Sequence, residues 1–247
     1  MKIKLLILFL TCSLIGTSQK QVDDQFNSWW TYSGTHKITN KFSVSTLYSW
    51  RRSDFVKNWQ QSLLRTGLNF KVTDNFTITP GYDWLVNFPY GKQPALTQSY
   101  EHRPYEQFTI KNKIGRFYIK HRYRIEQRFL QKTGLNSNNE KESYGYKFRN
   151  RIRYRLTFTL PINHKTLDNK TLFLSVYNEV FINLGKGAGI AKPFNQNWFN
   201  ASLGYKVNNQ ISVKLGYQNQ YLIKGNGNIE RNHTFMFGIS YNFDFRK

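Results

Sequence analysis

The chain has 247 residues, with 36 Lys and Arg against 14 Asp and Glu, a formal net charge of +22 and 17% aromatic residues. No long apolar run follows the N-terminus, which excludes a protein that crosses a membrane with helices. The charge would suit nucleic acid in the cytosol, but the N-terminus indicates export, so no nucleic-acid partner is expected. Anionic lipid, lipopolysaccharide phosphates and small anionic solutes are the partners that the charge favours.

Residues 1–18 have the pattern of a secretory signal peptide. Lys2 and Lys4 form a charged start, 5–15 an apolar core, and 16–18 a small-residue cleavage site. The apolar core is shorter than the roughly 20 residues of a membrane-spanning helix. Cleavage leaves a mature chain without cysteine, which predicts one domain over 19–247 with no disulfide.

The mature chain alternates apolar and polar residues in successive segments, which is typical of β-strands. The predicted strands are 25–38, 42–50, 64–71, 76–87, 101–112, 117–129, 146–158, 171–184, 199–206, 211–217 and 234–243. These are eleven, whereas closed antiparallel barrels normally have an even number. We therefore expect about twelve strands, with ten as the alternative.

Strands 117–129 and 146–158 each carry an aromatic and aliphatic face opposite a basic face. A soluble sandwich would bury the apolar face, and a transmembrane barrel would turn it to lipid and the basic face to a wet lumen. The predicted connections alternate between short turns and longer loops, such as 89–100, 131–143 and 185–196. That alternation favours an all-β, antiparallel, up-and-down outer-membrane barrel with short periplasmic turns.

Two features of this barrel prediction stay open. The loop alternation places the start of the first strand at the extracellular end, although an exported N-terminus should begin in the periplasm. Either one strand is missing from the prediction or 19–24 runs through the lumen. The eighth strand has two choices of face, and we expect Glu179 to point inward because a carboxylate facing lipid costs more than the amide of Asn178.

The inward faces of these strands carry an excess of positive charge. The expected lumen and anion-binding side chains are Lys120, Arg122, Arg124, Arg128, Lys147, Arg149, Arg151, Arg153, Arg155 and Arg103, joined by Arg65, Lys71 and Lys111. The expected counter-charges are Asp83, Glu101, Glu126 and Glu179. Because these acids are outnumbered and guanidinium groups suit phosphate, sulfate or carboxylate, the sequence predicts a small anion-favouring channel or anionic-ligand-binding barrel.

Two other functions are weighed against the channel. In the first, the acids brace the arginine rows across a plugged lumen, and the barrel serves the structure of the envelope. The second is an outer-membrane lipid hydrolase, for which Asn232-His233-Thr234 is the nearest arrangement, although threonine is a poor substitute for a lipase serine. We expect no enzyme, no catalytic residue, no metal site and no cofactor.

Several stretches resemble the uncharacterised outer-membrane barrel family known as domain of unknown function 2490. They are 101–103 with 106–107, 121–129, 149–156, 178–181 and 194–197. The most specific of them is the His-Arg-Tyr-Arg-Ile-Glu-Gln-Arg run that begins at His121, and the loop piece departs from the family with Asn195 and Trp198. The resemblance spans essentially the mature chain and implies a bacterial outer-membrane barrel, without implying an activity.

Overall fold

The structure is a computed structural model that describes residues 22–91, 95–185, 193–224 and 227–246. The expected signal peptide 1–18 lies outside these residues, as does most of the glycine-rich segment 185–196. None of the described residues forms a helix that is long and apolar enough to cross a membrane.

Eleven strands account for most of the described chain. They are β1 (Val22–Lys37), β2 (Phe42–Ser53), β3 (Asn58–Lys71), β4 (Phe76–Asn87), β5 (Ser99–Ile114), β6 (Phe117–Leu135), β7 (Lys141–Pro161), β8 (Thr171–Leu184), β9 (Phe194–Lys206), β10 (Ile211–Ile223) and β11 (Ile229–Tyr241). Each overlaps a predicted strand, because strict alternation over a long segment is a strong signal.

The strands form one closed barrel in which sequence neighbours pair antiparallel and β1 closes on β11. That last pair is parallel and runs from Val22 beside Ile229 to Ser33 beside Ser240. The expectation of twelve strands is therefore wrong for the described residues. The parallel pair satisfies the backbone hydrogen-bonding groups at the free edges of the first and last strands. The barrel can therefore close with an odd number of strands.

The strands are tilted strongly against the barrel axis. Lys37 on β1 pairs with a residue of β2, which in turn pairs with a residue of β3, and so on around the barrel. This series of partners returns to β1 at Asp23, near the opposite end of the strand from Lys37. Such a stagger accompanies strand tilt in closed barrels. Side chains distant along their strands therefore reach the same height in the lumen.

The connections follow the predicted alternation with three departures, of which the first is 54–57, a four-residue turn at the end of the long loops. Residues 162–170 form a longer turn at the end where 38–41, 72–75, 115–116 and 207–210 are short. The predicted loop 131–143 is mostly strand, because β6 and β7 stay paired as far as Leu135 beside Lys141 and only 136–140 turn. A register shift between Gln131 and Thr133 interrupts the alternation there, which explains why the sequence indicated a loop.

The distribution of side chains is the reverse of that in a soluble domain. Most fully buried side chains are polar or charged and point into the barrel, whereas leucines such as Leu64, Leu203 and Leu215 are 47–51% exposed on the outer wall. On β8, Glu179 and Phe181 are 0% exposed and Asn178 is exposed, so the chosen orientation of this strand is the observed one.

Candidate functional site in the barrel lumen

Four buried carboxylates form the centre of the lumen. They belong to Asp83 on β4, Glu101 on β5, Glu126 on β6 and Glu179 on β8, and each residue is at most 2% exposed. These are the four predicted counter-charges, which strand alternation places on the inner wall. Burying a carboxylate is costly unless cations and hydrogen-bond donors surround it, so its partners determine its role.

Asp83 and Glu101 are held by paired guanidinium hydrogen bonds. Arg65 donates from Nε and Nη2 to the two oxygens of Asp83 at 2.6 and 2.8 Å. Arg128 binds both oxygens of Glu101 in the same way, at 2.6 and 3.0 Å. Arg103 donates to Glu101 at 2.7 and 2.9 Å and to Asp83 at 3.4 Å, which joins the two acids.

Glu126 and Glu179 are joined in the same manner by Arg153. Its Nη1 donates to Glu126 Oε1 at 2.7 Å and its Nε to Glu179 Oε1 at 2.8 Å. Arg151 donates to Glu126 Oε2 from Nε and Nη2 at 2.8 and 2.6 Å. Arg155 donates from Nε to Glu179 Oε2 at 2.8 Å. Each of the four carboxylates thus accepts hydrogen bonds from arginine. In each case at least one of these arginines either donates from two nitrogens or also binds a second carboxylate.

Arg122 and Arg124 complete the cluster. Arg122 donates to Glu179 through Nη2. Arg124 donates to Gln107 Oε1 at 2.6 and 3.1 Å, and its Nη1 lies 3.6 Å from Asp83 Oδ2. Eight arginines and four carboxylates therefore form one connected network, which leaves an excess of four positive charges.

The strand register explains why the acids are needed. Arg122 stands directly opposite Arg155 and Arg124 opposite Arg153, and facing like charges repel. Glu179, which reaches in from β8, accepts hydrogen bonds from both members of the first pair. The network therefore braces the basic wall, as the structural alternative expected.

The remaining predicted cations lie outside this network. Lys120 lines the cavity described below. Lys147 and Arg149 are half-buried near the long end of β7, with no carboxylate within ion-pair distance among the described residues. Lys111 is exposed, and Lys71 pairs at 2.6 Å with Asp74 in the following turn, which lowers the pKa of that carboxyl.

A cavity of about 430 Å³ extends beside the network. Among the described residues, Glu101 is the one acid that lines it. The cations that line it are Arg51, Arg65, Arg103, Lys120, Arg122, Arg128, Arg151, Arg153, Arg155 and Lys214. The lumen therefore presents a predominantly positive surface to whatever occupies it.

Sequence reasoning missed two of these cations, Arg51 and Lys214. Both lie on strand faces whose other inward residues are neutral, and neither has a carboxylate within ion-pair distance in the described part of the chain. The alternation contained the signal, because Trp50 and Leu215, their immediate neighbours, belong to the outer apolar series.

The loop after β4 reaches into the barrel at the end where β1 begins. Tyr90 donates from its hydroxyl to Glu230 Oε1 at 2.7 Å, and Asn232 Nδ2 donates to the same oxygen at 2.8 Å. Lys224 forms an ion pair with Glu230. Burial and the Glu230 carboxylate raise the pKa of the Tyr90 phenol, so it remains a neutral donor.

The arrangement considered for a hydrolase is divided between the two faces of β11. His233 lies on the outer face, where Nδ1 is 2.6 Å from the Tyr217 hydroxyl and Nε2 is 3.3 Å from Asp24 Oδ1. Thr234 is fully buried on the inner side. The threonine hydroxyl and the imidazole therefore point away from each other, and this pair cannot act as nucleophile and base.

Comparison with known proteins gives one structural likeness and one family. A structure described as "NanC porin structure in rhombohedral crystal form" has 12% sequence identity and a TM-score of 0.43, with 83% of this chain and 89% of that chain covered. No curated protein matches this sequence. A family described as "Protein of unknown function (DUF2490)" matches residues 26–232, the family that the sequence motifs indicated. The chain belongs to this family.

Proposed function

We propose that this protein is a bacterial outer-membrane barrel that contacts lipid and lipopolysaccharide with its outer wall. The support is the exposed apolar surface, in which leucines alternate with aromatic side chains such as Trp84, Tyr123 and Phe158. Soluble monomers rarely expose apolar patches of this extent, whereas a barrel in lipid needs an outward apolar band with aromatic borders.

We further propose that the lumen favours anions, as a channel or as a binding barrel, and that it has no catalytic role. One observation supports this above all others. Each of the four carboxylates in the network is already held by arginines, and further cations without a carboxylate partner among the described residues, Arg51, Lys120 and Lys214, line the remaining cavity. An anion therefore meets positive charge that the protein itself has not neutralised.

A structural barrel with a blocked lumen is the second candidate, and the network itself favours it. Arginines shared between Asp83, Glu101, Glu126 and Glu179 connect strands β3 to β8 across their inner face. Such bracing alone accounts for the predominantly positive charge along the inner faces of β6 and β7, without any solute.

Reversal potentials in planar bilayers distinguish the two candidates. The refolded barrel, inserted under a KCl gradient, should give a reversal potential of the sign expected for chloride. Replacing Lys120 and Lys214 together with Gln should move that potential toward zero, because these lysines line the cavity without belonging to the network. The exposed Lys57, replaced with Gln, serves as the control.

A cation-selective potential would contradict the proposed anion preference. Bilayers that stay non-conducting after insertion has been verified by protease protection would favour the blocked structural barrel.

A further inference from the structure

The lumen wall beside the ion-pair network combines apolar side chains with a cation that has no carboxylate partner among the described residues. Arg51 on β2 lies over the ring of Trp29, with its guanidinium carbon 3.6 Å from the ring centroid. Its Nε donates to Ser49 at 3.3 Å and its Nη1 to Gln61 at 2.5 Å. These neutral acceptors orient the guanidinium but leave its charge unneutralised.

Two buried hydrogen-bond donors lie on the same wall. Trp198 packs edge-on against Trp29 with ring centroids 5.4 Å apart, and Gln220 pairs with Trp198 across β9 and β10. Trp198 Nε1 and Gln220 Nε2 are buried without a hydrogen-bond partner among the described residues, and both side chains line the cavity. Leaving a buried donor unpaired costs about 1–3 kcal/mol, so such donors point to a ligand that accepts hydrogen bonds.

The adjacent surface is apolar, which is unusual inside a polar lumen. Leu63 and Leu85 pair across β3 and β4, are at most 2% exposed and line the cavity. Leu63 lies on the same face of β3 as Gln61, the hydrogen-bond partner of Arg51. A water-filled passage for inorganic ions gains nothing from leucine here, because such lumens are polar.

We propose that this wall is a binding site for a small organic carboxylate with a compact apolar body. The carboxylate would accept hydrogen bonds from Arg51, Trp198 Nε1 and Gln220 Nε2, and the apolar body would lie on Leu63 and Leu85. This inference deepens the proposed anion preference, on which it rests, by naming the class of solute. A fully hydrated inorganic anion would use the charge but not the leucines.

Isothermal titration calorimetry on the refolded barrel in detergent tests the site without requiring conduction. The probes are benzoate, acetate, which lacks the ring, and benzamide, which lacks the charge. Benzoate should bind at least about tenfold more tightly than either, because acetate cannot contact the leucines and benzamide cannot pair its charge with Arg51. Benzoate no tighter than acetate would overturn the proposal.

Sequence neighbours on opposite faces of β2 provide the matched variants. Arg51→Gln should weaken benzoate binding about tenfold or more. Arg52→Gln should leave it unchanged, since Arg52 lies over Trp50 and Trp59 on the outer face and donates to the carbonyl groups of Val56 and Lys57. Equal affinity of wild type and the Arg51 variant would contradict the assignment.

A second variant keeps the test valid if Arg51→Gln does not fold. Trp198→Phe removes the indole N–H but keeps an aromatic ring, and it should weaken benzoate and acetate alike by several-fold. Unchanged affinity for both would overturn the proposal. The two proposals fail separately, since a barrel that selects chloride but does not bind benzoate retains its anion preference and loses only this site.

Discussion

At the scale of single residues, the lumen shows how a barrel can keep many arginines side by side. Glu126 receives hydrogen bonds from Arg151 and Arg153, and it lies 3.8 Å from Arg103. Its own backbone pairs with that of Arg151 on the neighbouring strand. One carboxylate therefore offsets repulsion that involves several cations, and its removal affects them all.

Glu126→Gln should lower the stability of the folded barrel by about 3–5 kcal/mol, because it leaves buried guanidinium groups without their counter-charge. The midpoint of urea unfolding in detergent, followed by tryptophan fluorescence, measures the change.

Glu106→Gln is the matched control for this substitution. The Glu106 carboxylate is exposed on the outer face of β5, where it accepts one hydrogen bond from Gln127 at 3.0 Å. We expect little change in its midpoint. Equal midpoints for the two variants would show that the ion-pair network does not stabilise the barrel.

At the scale of strands and loops, alternation predicted nearly all of the wall and little of its connections. The sequence predicted β6 and β7 because basic and apolar residues alternate over most of their length. It did not predict their extension to Leu135 and Lys141, since polar residues occupy both faces there. The alternation of residues along each strand predicted which charged side chains point inward. It did not predict that Arg103 and Arg153 each bind two carboxylates, because that depends on the strand tilt, which a single sequence does not reveal.

The loop after β4 gives a prediction at this scale. Tyr90→Phe removes the hydrogen bond to Glu230, so amide hydrogens in 88–91 should exchange faster by about tenfold, as expected for the loss of a hydrogen bond to a charged group. Mass spectrometry of peptides that cover this segment measures the rate. Tyr32→Phe, on the outer wall, should leave it unchanged. Equal exchange in wild type and the Tyr90 variant would mean that this contact does not hold the loop.

The same contact should depend on pH. The pKa of Tyr90 is raised by burial and by Glu230, so the folded state retains the phenol proton longer than the unfolded chain does. The stabilisation is therefore complete below the ordinary tyrosine pKa of about 10 and declines as the pH rises above it. The protection of 88–91, measured relative to the base-catalysed exchange of an unstructured peptide at the same pH, should therefore fall above that pH in wild type but not in Tyr90→Phe. A wild-type loop that remains protected there would contradict this prediction.

At the scale of the whole molecule, the parallel junction between β1 and β11 is the feature that sequence reasoning did not find. The alternation in the sequence predicted eleven strands, and a twelfth was expected because closed antiparallel barrels normally have an even number. The registry shows Ser33 beside Ser240, with their hydroxyl oxygens 2.8 Å apart. Nothing local in either strand distinguishes a parallel partner from an antiparallel one, so this pairing could not be read from alternation.

Cross-linking tests this closure directly. The double variant Ser33→Cys with Ser240→Cys should form a disulfide in the folded barrel under mild oxidation, because the two side chains already touch across the junction. The shift on a non-reducing gel measures it. Ser33→Cys with Ser212→Cys is the control, since Ser212 pairs with Ser240 from the next strand, β10. Equal cross-linking in both pairs would contradict the observed order of strands.

The junction also determines where the ring is weakest. Parallel ladders are slightly less stable per residue than antiparallel ones. The side-chain contacts across this one include neutral pairs on the lumen side, Asn27 with Asn232 and Ser33 with Ser240. On the outer side, Arg231 and Asp24 form a partly exposed ion pair, which contributes little. Under mechanical pulling or slow heating, the wall should therefore unzip between its first and last strands, while the arginine-rich half remains assembled as a curved sheet.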